Sequence, residues 1–407
     1  MQENNKYASV NQEKQQHINR SLVIDLLRQE KLCSRADLAN LSGLKRATIT
    51  NIINEFMEHE LVVEDGILDG AKGRRSIGIR INGQKYRTIG VMVTRQYYSI
   101  GMMGISGEVY QTQIHRMNGG MNAKAMLKAI KSNIRSMIEK EKEGKVLAIG
   151  FAVPGPYKVE DDKMIFVTNL VGWDELEISM CMKQDFDIPV FIENDANAGV
   201  CAQYWFRKRK TDQQNIAYIV AGQGIGCGMI LNGELQRGSL GIAGEIGHTS
   251  INFMGPRCEC GNRGCLEKYC SSIAIMQRIR DRLETGEYSI LGPDATFEEF
   301  QEAVRQGDLM AREEYGRACE LLAVGVVNMV NQINPSDVII GDILTKVNPS
   351  MLLKIVRQKV KEIVRPLVWE NLTIELDQLE YNPIMIGAGV IAAQNVFENP
   401  ISYMNKA

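Results

Sequence analysis

The tightest constraint on this chain is a loop. Cys258-Glu259-Cys260-Gly261-Asn262-Arg263-Gly264-Cys265 sets three thiols and two glycines within eight residues. Sulfurs so close in sequence cannot be spread through a core, and the glycines let the backbone turn sharply enough to bring them to one point. Zinc favours closed tetrahedral sites of thiolate and imidazole ligands, so the spacing predicts a structural zinc on Cys258, Cys260 and Cys265. A fourth ligand is needed. His248, in Gly244-Glu245-Ile246-Gly247-His248, is the nearest upstream imidazole in a chain with 4 histidines; Cys270, beyond Glu267 in a helix-like segment, is the alternative. Buried free thiols or a redox pair are the competing readings. No open coordination position is implied, so the metal is expected to hold structure rather than to catalyse.

The remaining cysteines (Cys33, Cys181, Cys201, Cys227, Cys319) are scattered through apolar or periodic segments and read as small buried hydrophobes in a reducing compartment. The first 16 residues are polar and lack the apolar centre of a secretory leader, and no apolar run reaches the roughly 18 residues of a membrane-spanning helix. A cytoplasmic setting is expected. With 407 residues, 44% hydrophobic and 24% charged, the composition is that of two or three globular domains, not of a disordered chain. A formal net charge of -2 excludes a generally basic nucleic-acid binder but leaves room for a locally basic module.

Such a module lies near the start. Residues 1–16 are expected to be a frayed tail; from Asn19 onward Leu22, Val23, Leu26 and Leu27 fall at helical spacing. Ser34, with Asp37 three residues on, opens a short second helix carrying Leu38, Ala39 and Leu41 and broken at Gly43. A third helix from about Lys45 sets Ile49, Ile52, Ile53 and Phe56 on one face, and a strand at Val62-Val63, a turn at Glu64-Asp65-Gly66 and another strand follow. That order is a winged helix-turn-helix. Candidate DNA contacts are Arg35, then Lys45, Arg46, Thr48, Thr50 and Asn51 on the third helix, and Lys72, Arg74 and Arg75 in the wing. Between 71 and 87 the basic residues Lys72, Arg74, Arg75, Arg80, Lys85 and Arg87 meet no acidic one, and Gly73-Arg74-Arg75 suits a narrow minor groove. The plainer alternative is a helical hairpin with a solvated charge run.

From Thr88 the pattern changes to short apolar strands between longer helical segments, the signature of an α/β fold. Ile89 to Val93 and Ile100 to Met103 read as a hairpin, and Ala123 to Ile138 as a helix. Val146 to Val153 reads as a buried strand, and Val190 to Ile192 as one running into Glu193-Asn194-Asp195. Ile216 to Ala221, a glycine-rich loop Gly222 to Gly228 and Met229 to Leu231 form a strand-loop-strand unit. Met310 to Ile333 is helical, Val338 to Ile340 a strand, and Ile384 to Phe397 a closing helix.

Gly-Glu-Ile-Gly-His at 244–248 followed by Cys-x-Cys-Gly-x-x-Gly-Cys-x-Glu at 258–267 resembles the signature of the ROK family, which joins repressors, open reading frames and sugar kinases. The resemblance runs from about Gly90 to the end, and the N-terminal module is similar to that of the repressor branch. The runs Asn252 to Tyr269 and Phe191 to Gly199 resemble the xylose repressors of Gram-positive bacteria. The implied fold is a winged helix-turn-helix over 1–82 followed by an actin-like, sugar-kinase fold of two α/β lobes. The smaller lobe would take 83–195 plus 384–407 and the larger 196–383, with the zinc loop, and a sugar would sit in the cleft. By the same resemblance Asn194 binds sugar hydroxyls and Asp195 stands where a kinase has its general base. Glu245 and Glu267 accept from hydroxyls at the anomeric end. His248 ligates zinc with its other ring nitrogen towards the sugar, Gly155 lines the pocket, and Asn169 lies on the facing loop.

The chemistry is coherent without the family: carboxylate and amide groups discriminate among sugar hydroxyls because an unpaired buried acceptor is costly. Phosphoryl transfer is not expected. The family's first phosphate motif, Asp-x-Gly-Gly-Thr, would place its Asp, glycines and Thr on Met92, Thr94, Arg95 and Gln96. The second keeps Gly222, Gly224, Gly226 and Gly228 but has Gln223 for Thr, and the adenosine-side Gly-Gly reads Gly341-Asp342. Asp195 is then a vestigial base and the chain not an enzyme. The expectation is a sugar-responsive repressor of a carbohydrate operon, xylose being the first candidate effector and a hexose the second. It would bind a pseudo-palindromic operator as a homodimer or homotetramer. A sugar kinase with an appended DNA-binding domain and a repressor controlled by a protein partner are the alternatives.

Overall fold

Ser34 begins the second helix with a reciprocal cap: its hydroxyl accepts from Asp37 N at 3.2 Å while the Asp37 carboxylate accepts from Ser34 N at 3.0 Å. The helix Arg35–Ser42 ends at Gly43, left-handed at φ 70°, and Arg46–Glu58 follows, burying Ile49, Ile52, Ile53 and Phe56. The computed structural model describes residues 12–69, 75–116, 122–158, 161–165, 172–207 and 215–406. Within them the first helix runs Gln12–Glu30, so 12–16 are helical and not tail. Its opening turns are built from Gln, Glu and Lys, good helix formers that apolar spacing does not register.

The segment Glu64-Asp65-Gly66 does not reverse the chain as its composition suggests. The strand Val62–Asp69 runs on through it as a bulge, with Gly66 at φ 71°, and pairs antiparallel with Arg75–Ile81 so that Asp69 faces Arg75. Cys33–Ser34 adds a third strand to Arg75–Ile81, and three helices with this sheet complete the winged helix.

Close contacts divide the chain into two units: Met1–Phe151, Glu177–Ile192 and Ala388–Ala407 form one, Ala152–Leu176 and Glu193–Gly387 the other. Beyond the winged helix, the first unit is organised on a sheet in the order Val190–Asn194, Lys145–Val153, Tyr86–Val93, Tyr97–Gly104, Val109–Arg116, the last two residues of each of the first two strands being counted with the second unit. Helix Ala123–Lys140, capped by Asn122, buries Met126, Leu127, Ile130, Ile134 and Met137, the spacing of one helical face.

The second unit has a sheet in the order Glu234–Leu235, Ile225–Leu231, Ile216–Ala221, Asp337–Gly341, Thr373–Leu376. Ile216–Ala221 is antiparallel to Ile225–Leu231 and parallel to Asp337–Gly341, which is parallel to Thr373–Leu376. On one face Ala217, Ile219 and Ala221 join a core with the helices Ser272–Glu284, Phe297–Gln306, Leu309–Ile333 and Pro349–Ile363. Each fully buried Leu, Ile or Val there is worth about 1.5–3 kcal/mol. On the other face the Tyr218 ring lies against Gly199 of Asp195–Phe206, a helix whose residues Ala196 through Trp205 are all buried. Among the described residues no helix is long and apolar enough to cross a membrane.

Candidate functional site

Cys258, Cys260 and Cys265 come together with His248, their four donor atoms within 4.8 Å of one another. His248 Nδ1 is 3.6 Å from Cys258 Sγ, and Cys260 Sγ is 3.6 Å from Cys265 Sγ. Bonds of about 2.3 Å from sulfur to a tetrahedral zinc would set sulfur pairs about 3.8 Å apart, so donor chemistry and spacing both fit a metal ion. Cys270 stands apart: its buried thiol donates to Leu266 O at 3.3 Å. The alternative fourth ligand is thereby removed.

The imidazole carries the geometry outward. With Nδ1 on the sulfur side, His248 Nε2 lies 3.8 Å from Glu245 Oε2. Burial, and then the charges of Asp195 and Glu267, push the Glu245 carboxyl up to about 7. Glu267 accepts from Ile225 N at 3.1 Å, which fixes one of its oxygens against the strand. Gly244 makes the approach possible. It sits at φ 95°, and a Cβ there would stand 1.8 Å from Cys227 O, so only glycine lets the turn before Glu245 lie on the strand.

Asn194 stands at the start of the helix that carries Asp195. Its side-chain oxygen caps the helix Asp195–Phe206, accepting from Ala196 N at 2.9 Å and Asn197 N at 3.3 Å, while its amide donates to Gly155 O at 3.0 Å. The residue read as a sugar ligand is therefore also the post that ties Gly155 to the helix carrying Asp195, with one amide hydrogen left for a ligand. Gly155, Asn194, Asp195, Glu245, His248 and Glu267 all belong to the second unit. Asn169 lies outside the described residues. Sequence reasoning passed over Glu193 and Arg237, which meet beside Asn194 at 2.7 Å. Burial of Glu193 at a strand end is foreseeable; a partner 44 residues away is not.

On the winged helix, Lys45, Arg46, Thr50 and Asn51 are exposed on and just before the third helix, and Thr48 is half-buried. Arg35 reaches Glu64 at 3.2 Å, and Arg75 is exposed at the start of its strand. Lys72 and Arg74 fall outside the described residues. The basic stretch 71–87 is not one surface. Arg80 pairs with Asp65 and Lys85 with Glu60. Arg87 is buried, donating to Gly83 O at 2.7 Å and Gln84 O at 2.8 Å with its guanidinium 3.8 Å over the Tyr110 ring. Their acidic partners, at 60 and 65, precede the stretch that looked uncompensated.

The positions of the two phosphate motifs are closed by protein groups. The Thr94 hydroxyl donates to Tyr97 O at 2.8 Å and accepts from Tyr97 N at 3.0 Å and Gln96 N at 3.2 Å, sealing its turn. In the second, Ala221 faces Ile225, so the turn is only Gly222 to Gly224, and Gly226 and Gly228 lie within a strand. A Cβ on Gly228 would stand 2.1 Å from Ala196 O. Asp342 holds φ 75°, ψ -168°, a conformation reserved almost wholly for glycine, and turns its carboxylate onto Gly222. Burial pushes that carboxyl up to about 6.

The sequence model of the ROK family matches residues 88–395. A xylose repressor from Caldicellulosiruptor bescii is 29% identical over 397 residues, covering 94% of this chain and 97% of its own. Among solved structures, a ROK family transcriptional regulator described as a homologue of the E. coli Mlc protein matches with a TM-score of 0.82 at 25% identity, over 96% of this chain and 99% of that one. A ROK family glucokinase from Streptomyces griseus, solved with glucose and AMPPNP, shares the fold at TM-score 0.66 and 24% identity, over 76% of this chain and 99% of its own. With the family's sequence model spanning most of its length, from the first strand after the winged helix into the closing helix, the chain belongs to the ROK family.

Proposed function

We propose that this protein is a sugar-responsive, DNA-binding transcriptional repressor of a carbohydrate-utilisation operon, with xylose as its first candidate effector. The observation that carries the reading is the pairing of two sites in one chain. A winged helix exposes Lys45, Arg46, Thr50 and Asn51, and the second unit gathers Asp195, Glu245 and Glu267 beside the metal loop. Likeness to a xylose repressor extends over 94% of the chain and so takes in both. The protein is a regulator and not an enzyme: relatives alike over more than nine-tenths of the chain are named repressors, and Thr94 and Asp342 stand where the phosphate motifs of the family's kinases carry glycine.

In this reading Asn194, Asp195, Glu245 and Glu267, together with Gly155 and Asn169, take the sugar hydroxyls. His248, Cys258, Cys260 and Cys265 would hold a zinc ion, which would fix the loop as a rigid frame. His248 presents Nε2 and Glu267 its carboxylate from that frame. The protein works in the cytoplasm as a homodimer or homotetramer whose paired winged helices meet half-sites about 34–36 Å apart, or a multiple of that. Arg35 and the Lys45–Asn51 segment enter the major groove, with Lys72, Arg74 and Arg75 along the wing. Sugar releases the operator because it binds the DNA-incompetent state more tightly, by about 1–3 kcal/mol for typical allosteric coupling.

A thermal-shift panel of pentoses and hexoses, with and without ATP and magnesium, tests this. One sugar is expected to raise the melting temperature and nucleotide to add nothing; a nucleotide-dependent shift would return the kinase. Glu267→Ala should abolish both the sugar shift and sugar-driven operator release, and retention of both would sink the site assignment. Chelation, or Cys265→Ser, should lower the melting temperature, because the binding free energy of a structural zinc is folding free energy; an unchanged melting temperature would leave the cluster a set of free thiols.

A further inference from the structure

An exposed arginine meets a buried glutamate between the two walls of the effector site. Glu193 is 6% exposed and uses both oxygens: Oε1 accepts from Asn194 N at 3.0 Å and Asn197 Nδ2 at 2.9 Å, and Oε2 accepts from Arg237 Nε at 2.7 Å. Those bonds set the start of the helix that carries Asp195. Arg237 belongs to the other wall. Its carbonyl accepts from Ala243 N at 3.0 Å, closing a loop through Gly238 and Gly241, and the next residue, Gly244, is pinned to the strand by Cys227 N at 2.9 Å. Glu245 follows directly.

We infer that the Arg237–Glu193 ion pair is a clamp that sets the separation of the Asn194–Asp195 wall from the Glu245 wall, making Arg237 a positioning residue for the effector. Both glycines in that loop, Gly238 and Gly241, sit at positive φ on either side of an exposed Leu240, so the backbone supplies little stiffness of its own. The tie comes instead from one charge-assisted bond to a carboxylate that is out of water, which is stronger than a pair between two exposed side chains. Removing the guanidinium leaves Glu193 buried with two neutral donors and releases the loop. The inference rests on the effector reading for its functional consequence, but the clamp itself is a property of the chain.

Two measurements on the full-length protein keep those apart. Hydrogen exchange across 237–245 should speed up in Arg237→Ala, with the Ala243 and Gly244 region leading, and return towards the native rate in Arg237→Lys, which restores a cation. Calorimetric titration with the sugar found in the thermal-shift panel should show affinity lower by about tenfold in Arg237→Ala, by analogy with the low end of the range for residues that orient a metal ligand. Recovery in Arg237→Lys is expected there too, and Arg237→Ala, which leaves a buried carboxylate without its cation, should also lower the melting temperature of the free protein. Unchanged exchange in Arg237→Ala overturns the clamp whatever the sugar does. Faster exchange with undiminished affinity overturns its positioning role. Absence of any sugar binding by the native protein defeats the effector reading instead, and exchange alone then decides the clamp.

Discussion

The hairpin of Tyr86–Val93 with Tyr97–Gly104 and the hairpin of Ile216–Ala221 with Ile225–Leu231 each join two antiparallel strands, one in each unit, and close their turns by opposite means. In the first the Thr94 side chain adds three hydrogen bonds across the turn to the backbone bond from Thr94 N to Tyr97 O at 2.9 Å, and no glycine is present. In the second the glycines remain, but other protein groups lie on them. Asp342 lies on Gly222, Glu267 on Gly224 and Ala196 on Gly228. Glycine thus marks close approach of something, and here that something is the protein's own backbone and two carboxylates. A loop flanked by carboxylates repels phosphate by the same Coulomb interaction that a cradle of bare amides would use to attract it.

The comparison breaks first at Gly228. If its role is to admit Ala196 O, then Gly228→Ala drives a methyl to within 2.1 Å of a backbone atom that cannot rotate away. The expected loss is about 3 kcal/mol or more, the upper end of overpacking costs, read from chemical denaturation. Gly244→Ala, at φ 95° and 1.8 Å from Cys227 O, should be at least as severe. A variant at Gly228 that melts like the native protein would mean that this glycine is free for a ligand after all. Thr94→Ala tests the other hairpin and should cost only about 1 kcal/mol, because the turn is half-exposed and water replaces part of what the hydroxyl supplied. A loss as large as that at Gly228 would erase the distinction between the two turns.

How much of this was legible beforehand follows from the range of the interactions. The Ser34–Asp37 cap, the Gly43 stop and the buried face of the third helix are set by residues three or four apart, and all were readable. So were the three cysteines of the metal loop, while the choice of His248 over Cys270 needed the fold, since it depends on which way the helix Glu267–Cys270 turns its thiol. The basic stretch at 71–87 was misjudged because Arg80 and Lys85 are compensated across strands and turns by Asp65 and Glu60, which lie outside the window. Glu64-Asp65-Gly66 looked like a reversal because a bulge and a turn call for the same glycine. Asn194 was legible as a polar group at the site, but not its double duty as helix cap and tether of Gly155.

Asp342 gives the smallest effect and the finest test of the second hairpin, because strain and charge can be separated there. Asp342→Gly relieves a glycine-only conformation worth about 1–3 kcal/mol and gives back about 0.5–1 kcal/mol through the freer unfolded chain, so a net gain of about 1 kcal/mol is expected. The charge adds a pH dependence of known sign. Burial raises this carboxyl from 3.8 to about 6 in the folded protein, so its contribution is fully present below pH 3.8 and is lost as pH rises through about 6. The advantage of Asp342→Gly should therefore widen between those values and level off above them. Asp342→Asn keeps the backbone strain and removes the ionisation. Its stability relative to the native protein should rise over the same window without the constant offset of the glycine variant. If native protein and Asp342→Asn instead run parallel from pH 4 to pH 7, the carboxylate is not desolvated against Gly222, and the two hairpins differ in their glycines alone.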